Sequence, residues 1–153
     1  MRLTVKADYA IRALAELAAG AQDGTPMTAE EISEAQGIPR RFLLGIMAEL
    51  RNDHLVVSHR GINGGYVLGR PPDEITLADI IRSAEGPLAE IGDDRPGEIA
   101  YPGAAAVLAD VWVAVRASLR SVLEEVTLAN LASGKLPPTV DKLTRDPDAW
   151  RRH

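Results

Sequence analysis

Five arginines, at positions 40, 41, 51, 60 and 70, fall between Gln36 and Arg70 against only Glu49 and Asp53, a local net charge of +3 before His54 and His59 are considered. Guanidinium groups at that density suit anions, phosphate above all, which they meet with planar, forked donors. The chain as a whole carries a formal charge of −5. From Gly86 to Gly134, Arg95, Arg116 and Arg120 stand against Glu90, Asp93, Asp94, Glu98, Asp110, Glu124 and Glu125, a net of −4. Positive potential is local, so an acidic protein can still present one anion-facing half. Among the arginines lies Gly61-Ile62-Asn63-Gly64-Gly65, glycines that either form a plain turn or let a ligand approach the backbone.

Other chemistry is excluded or poorly supplied. With no cysteine in 153 residues, disulfides, thiolate nucleophiles and cysteine-ligated zinc or iron–sulfur sites are ruled out. His54 and His59 are too sparse for a zinc site, so no metal and no cofactor is expected. No Ser/His/Asp set, phosphate loop or paired carboxylates have convincing spacing, and the glycine run does not join a strand to a helix as a nucleotide-binding loop does. An enzyme is not expected. An apolar share of 46% with 25% charged residues places the chain among globular proteins. No apolar run approaches bilayer length, and charges at Arg2, Lys6, Asp8, Arg12 and Glu16 interrupt what would be a signal peptide's apolar core. A cytoplasmic location and no membrane partner are therefore expected.

The elements that must position the arginines follow from periodicity and caps. Val5 to Ala19 has helical spacing, with Tyr9, Ala13, Leu14 and Leu17 on one face. Thr28-Ala29-Glu30-Glu31 is a capping box opening a short helix through Gln36, and Gly37 is suited to the left-handed cap that ends it. Pro39 then precedes a helix from Arg40 to about Asp53, with Phe42, Leu43, Ile46, Met47 and Leu50 predicted to face the core. Two strand-like runs, 55–60 and 66–70, flank Asn63-Gly64, a hairpin signal because both residues accept positive φ. Thr76 is placed to cap a helix over 77–84. Residues 87–103 read as loop. Val107, Leu108, Val111, Val115, Leu119, Val122, Leu123 and Val126 then share one stripe of a single helix predicted over 104–133, too long to be covered by so small a domain. Val107, Val111, Val115, Leu119, Val122 and Val126 are the candidate dimerisation residues. Residues 134–153 read as a tail, mobile or weakly docked.

Helix, glycine turn, helix and glycine-tipped hairpin make a winged helix-turn-helix over 1–86, in which the second helix enters the major groove of double-stranded DNA. Arg40 and Arg41 sit at that helix's amino end, where free amides also favour phosphate. Arg51, His59 and Arg60 are candidates for phosphate or minor-groove contacts.

The residues themselves resemble a family. Residues 28–86 are similar to the DNA-binding half of the bacterial regulators typified by IscR, NsrR and CymR. The specific part is the wing Arg60-Gly61-Ile62-Asn63-Gly64-Gly65-Tyr66, followed by Leu68, Pro71-Pro72, Ile75-Thr76 and Ile80. Tyr9-Ala10, Leu14 and Leu17 also fit. The resemblance implies a mainly α fold with a small β-hairpin wing and a long carboxy-terminal dimerisation helix, acting as a homodimer on a palindromic operator, with repression the expected sign. By position it implies DNA contacts from Thr28, Arg40 and Arg41, and wing contacts from Arg60, Asn63, Gly64 and Gly65. Two departures stand out. The three cysteines with which several relatives hold an iron–sulfur cluster are missing, and Asp8, where some use an acidic ligand, cannot hold one alone. Leu44-Gly45 replaces a Glu-Gln pair that could contact bases, so a different operator is expected. A small-molecule effector near Tyr101, Trp112 or Trp150 is a further expectation. The alternative is a dimeric adaptor or ligand-binding protein of this fold that has lost specific DNA binding.

Overall fold

The computed structural model describes residues 3–88 and 98–151. Its centre is α1 (Val5–Gly20), which Thr4 opens by accepting the Ala7 amide at its hydroxyl. Ala7, Ala10, Ala13, Leu14, Leu17 and Ala18 are its buried face. Four of these six are alanines, whose small side chains let neighbouring helices approach closely, and α1 packs against α2 (Ala29–Gln36), α3 (Arg40–Asn52), α4 (Leu77–Glu85) and α6 (Leu128–Ser133). Thr28 caps α2 and Thr76 caps α4, each in a full capping box, and Gly37 ends α2 at φ 62° as its position predicts.

The strands are β1 (Val56–His59) and β2 (Gly65–Leu68), antiparallel with Val56 opposite Leu68 and His59 opposite Gly65. Their connection does not use positive φ where Asn63-Gly64 suggested it. The loop runs from 60 to 64, the Gly64 amide donates to the Gly61 carbonyl at 3.0 Å, and positive φ falls on Gly61 (103°) and Gly65 (147°), not on Asn63 or Gly64. Ile62 and Asn63 thus occupy the middle of an ordinary turn, which any residue can adopt.

Leu43, Ile46, Met47 and Leu50 form the buried face of α3 as expected, but Phe42 does not join them and is 66% exposed. At 100° per residue it lies too far round the helix from the centre of that face.

The single helix predicted over 104–133 is interrupted. A 3₁₀ turn at Gly103–Ala105 is followed by α5 (Leu108–Leu123) and then, after a break, by α6. The break has a local and a tertiary cause. Thr127 caps α6 in a box with Asn130. The chain on either side of Thr127 also pairs with the segment before α4: Leu77 donates to the Val126 carbonyl at 2.9 Å and Leu128 donates to Ile75 at 3.0 Å. Leu128 is fully buried in the same core cluster as the residues of α1 and α4 and α6 packs on α1, so α6 completes the core of the winged unit, which extends beyond residue 86. Val126, expected on the outer stripe, is 3% exposed and belongs to this fold-back. The tail contains α7 (Pro138–Thr144) and a 3₁₀ turn at Pro147–Trp150. Thr139 is tied to Glu125 by a hydroxyl–carboxylate hydrogen bond. Of the predicted loop 87–103, residues 89–97 lie outside the described residues.

Candidate nucleic-acid interface

The wing is fastened to the helix-turn-helix by its backbone. Met27, immediately before the α2 cap, exchanges two hydrogen bonds with Tyr66 of β2, Met27 N–H to Tyr66 C=O at 3.0 Å and Tyr66 N–H to Met27 C=O at 2.7 Å. This approach explains Gly65: a Cβ there would lie 2.5 Å from the Met27 carbonyl oxygen. A Cβ on Gly64 would lie 2.4 Å from the His59 carbonyl oxygen. Both glycines are therefore required by the folding of the wing itself, and their resemblance-based assignment to DNA contact has this structural explanation beside it.

Thr28 is likewise engaged within the protein. Its hydroxyl accepts the Glu31 amide at 3.2 Å, while Glu31 accepts the Thr28 amide at 2.7 Å and its hydroxyl at 2.9 Å. The Thr28 backbone N–H, then its hydroxyl, hold the Glu31 carboxyl below its ordinary range.

The cations differ in how free they are. Arg40 reaches back to Glu30 of α2 at 2.9 Å, so part of its charge is already answered. Arg41, Arg51 and Arg60 are exposed and form no ion pair among the described residues. Arg41 stands on the first turn of α3, Arg51 on its last turn, and Arg60 at the root of the wing loop, beside the exposed His59. Asn63 and the fully exposed Ile62 form the wing tip. α3 is thus a helix with one buried and one open face, with unpaired guanidinium groups on its first and last turns and the hairpin strand β1 packed against it. Such a helix matches the width of the major groove, and the cations match its phosphate walls.

Comparison with known proteins decides the family. A model of the Rrf2 family, described as an iron-dependent transcriptional regulator, matches residues 3–134. The chain belongs to the Rrf2 family. Among its relatives is Rv1287 of Mycobacterium tuberculosis, named as an HTH-type transcriptional regulator, 50% identical over 95% of this chain and 90% of that protein. CymR of Bacillus subtilis, an HTH-type transcriptional regulator, is 34% identical over 87% of this chain and 91% of its own length. The solved CymR structure, of the protein described as the global cysteine regulator of B. subtilis, superposes with a TM-score of 0.75, covering 88% of this chain and 98% of that one. IscR of T. potens superposes at 0.66 with 29% identity, covering 100% and 93%. The Rrf2 chain described here is accordingly a DNA-binding transcription regulator with a winged helix-turn-helix, of a family of regulators and not of enzymes.

The iron dependence in the family's description does not fit this member's donor set. The sequence has no cysteine, and no group of three or more potential ligands occurs among the described residues. Asp8 is engaged with Arg12 at 3.2 Å. No helix among the described residues is long and apolar enough to cross a membrane.

Two features escaped the sequence reading. Met27 anchors the wing, though the only local signal is its place before the cap. The cavity at the junction of α4 and α5 is lined by Arg82, Leu88, Arg116 and Arg120. Tyr101 and Trp112 are half-buried. Trp150 is largely exposed, with its indole N–H donating to the Thr144 carbonyl at 2.7 Å.

Proposed function

We propose that this Rrf2 protein acts as a homodimeric repressor that reads a palindromic operator without a cysteine-ligated cluster. The observation that carries the dimer is α5: a helix of 16 residues with no buried residue, although Val107, Val111, Val115, Leu119 and Val122 recur along one side. An amphipathic helix is stable in water only when its apolar face is covered, and a second copy of the same helix is the self-complementary cover. A two-fold dimer presents two winged helices, so half-sites separated by about one DNA turn or a multiple of it are the matching target. Arg41, Arg51, His59, Arg60 and Asn63 are the proposed DNA-contacting side chains, Arg40 sharing its charge with Glu30, and Thr28, Gly64 and Gly65 holding the elements in place. A dimer clamped over a promoter acts most simply by occlusion, hence repression. At the α4–α5 junction Arg82 and Arg120 are paired with Glu124, which leaves Arg116 as the cation there that an effector would meet.

The adaptor reading draws on Leu44-Gly45 and the formal charge of −5. Gel-shift titration of fragments upstream of the gene encoding the protein separates the two. The regulator reading expects saturable, sequence-selective binding that Arg60→Ala and Arg41→Ala each weaken. Weak binding indifferent to sequence would favour the adaptor.

A further inference from the structure

The open face of α3 carries more than its arginine. With Leu43, Ile46, Met47 and Leu50 buried, the helical repeat turns Arg41, Leu44, Gly45 and Ala48 outward and leaves Phe42 at the edge. Phe42 is 66% and Leu44 44% exposed, and Gly45 and Ala48 are exposed as well. Arg41 and, at the end of the helix, the exposed Asn52 carry the hydrogen-bonding side-chain atoms of this face, and between them Leu44, Gly45 and Ala48 carry none. A single apolar side chain in water needs no explanation, but here two large ones flank a glycine.

Gly45 is an independent observation. Glycine in a helix interior destabilises relative to alanine. A Cβ at Gly45 would meet nothing within 4 Å, and its backbone φ is not positive. Neither packing nor conformation within this chain calls for glycine there, whereas Gly64 and Gly65 are demanded by close backbone contacts. A close approach from outside accounts for it.

We propose that this face reads thymine: Phe42 and Leu44 lie against 5-methyl groups in the major groove, and Gly45 lets the helix backbone come nearer the base edges than a side chain would permit. Thymine alone presents a methyl group there, and apolar side chains, phenylalanine included, are its matching readers. DNA is the occupant that the local charge selects, since the exposed Arg41 belongs to this face and the exposed Arg51 stands on the last turn of the same helix. The inference rests on the specific-regulator reading above.

Duplexes enriched by the full-length protein from a random library would be remade with deoxyuridine for thymine, a change that removes only the methyl, and affinities compared by fluorescence anisotropy at fixed salt. Thymines should recur at matching places in both half-sites, and each contacted methyl removed should weaken binding about fourfold, the effect of exposing one buried methyl. Phe42→Ala and Leu44→Ala should each discriminate less between the two forms than the parent, and the double variant should bind them alike. Gly45→Ala should unfold at a higher temperature yet bind roughly tenfold more weakly, the loss of about one base contact, opposite signs that a merely structural glycine would not give. An enriched site bound equally well with deoxyuridine, or a Gly45→Ala protein binding as tightly as its parent, would overturn the thymine reading while leaving the regulator intact. Enrichment of no sequence would overturn both.

Discussion

Alanine at Gly65 would bring a Cβ to 2.5 Å from the Met27 carbonyl oxygen, 2.6 Å from its carbon and 3.0 Å from the Thr28 nitrogen. All three are backbone atoms, which cannot swing aside as a side-chain end would. The bridge between Met27 and Tyr66 would have to open, losing two hydrogen bonds of 3.0 and 2.7 Å at about 1 kcal/mol each. A non-glycine residue held at φ 147° adds about 1 kcal/mol, for a total destabilisation of about 3 kcal/mol. Gly61→Ala is the control, because its φ is 103° but a Cβ there meets nothing within 4 Å. It should cost only the backbone strain, about 1 kcal/mol. Urea unfolding followed by far-ultraviolet circular dichroism, at one protein concentration because dimerisation would couple to stability, measures both. Gly65→Ala within about 1 kcal/mol of the parent, or Gly61→Ala as damaging as Gly65→Ala, would refute the claim that the wing is held by its contact with Met27.

Leu119→Glu should convert the protein to a folded monomer in sedimentation velocity, whereas Val126→Glu, 3% exposed in the parent, should unfold it. Leu119→Glu remaining dimeric would remove α5 from the interface. Hydrogen bonds from Arg120, then Arg82, hold the Glu124 carboxyl at about 2, below its ordinary 4.5. A depressed folded value means that the link from α5 to α4 stabilises above about pH 4.5 and is lost as pH falls toward 2, a small effect because solvent screens the group. Unfolding midpoints of the parent should fall more steeply over that window than those of Glu124→Gln, and equal slopes would contradict the assignment. Arg41→Ala should reduce the salt dependence of DNA binding by about one unit of slope and weaken it more than Arg40→Ala, whose charge Glu30 already shares at 2.9 Å. The reverse order would show that Arg40 leaves Glu30 for DNA.

Features fixed by neighbours in sequence were legible in advance. The Thr28–Glu31 box, Gly37 and the inward Leu43, Ile46, Met47 and Leu50 depend on contacts one or two turns apart, and they define the helix-turn-helix. Features fixed by distant backbone were not. Val122, Leu123 and Val126 keep helical spacing, so the stripe reads straight through the break. The break is made by pairing of 126–128 with 75–77, and only Thr127-x-x-Asn130 marks it locally. Phe42 looks like core because hydrophobicity carries no direction, and its angle on the helix was the available clue. The wing glycines stand out in the sequence, but the structural reason for Gly65 lies at Met27, 38 positions earlier in the chain.

The most direct test of the whole account is a hydroxyl-radical footprint of the protein on an enriched duplex. Two-fold placement of two recognition helices predicts paired protections related by a dyad, their centres about ten base pairs or a multiple apart, with additional protection where the wings meet the flanking backbone and loss of that flank in Arg60→Ala. A single unpaired protection, or protection that does not change with sequence, would contradict a dimer reading a palindrome.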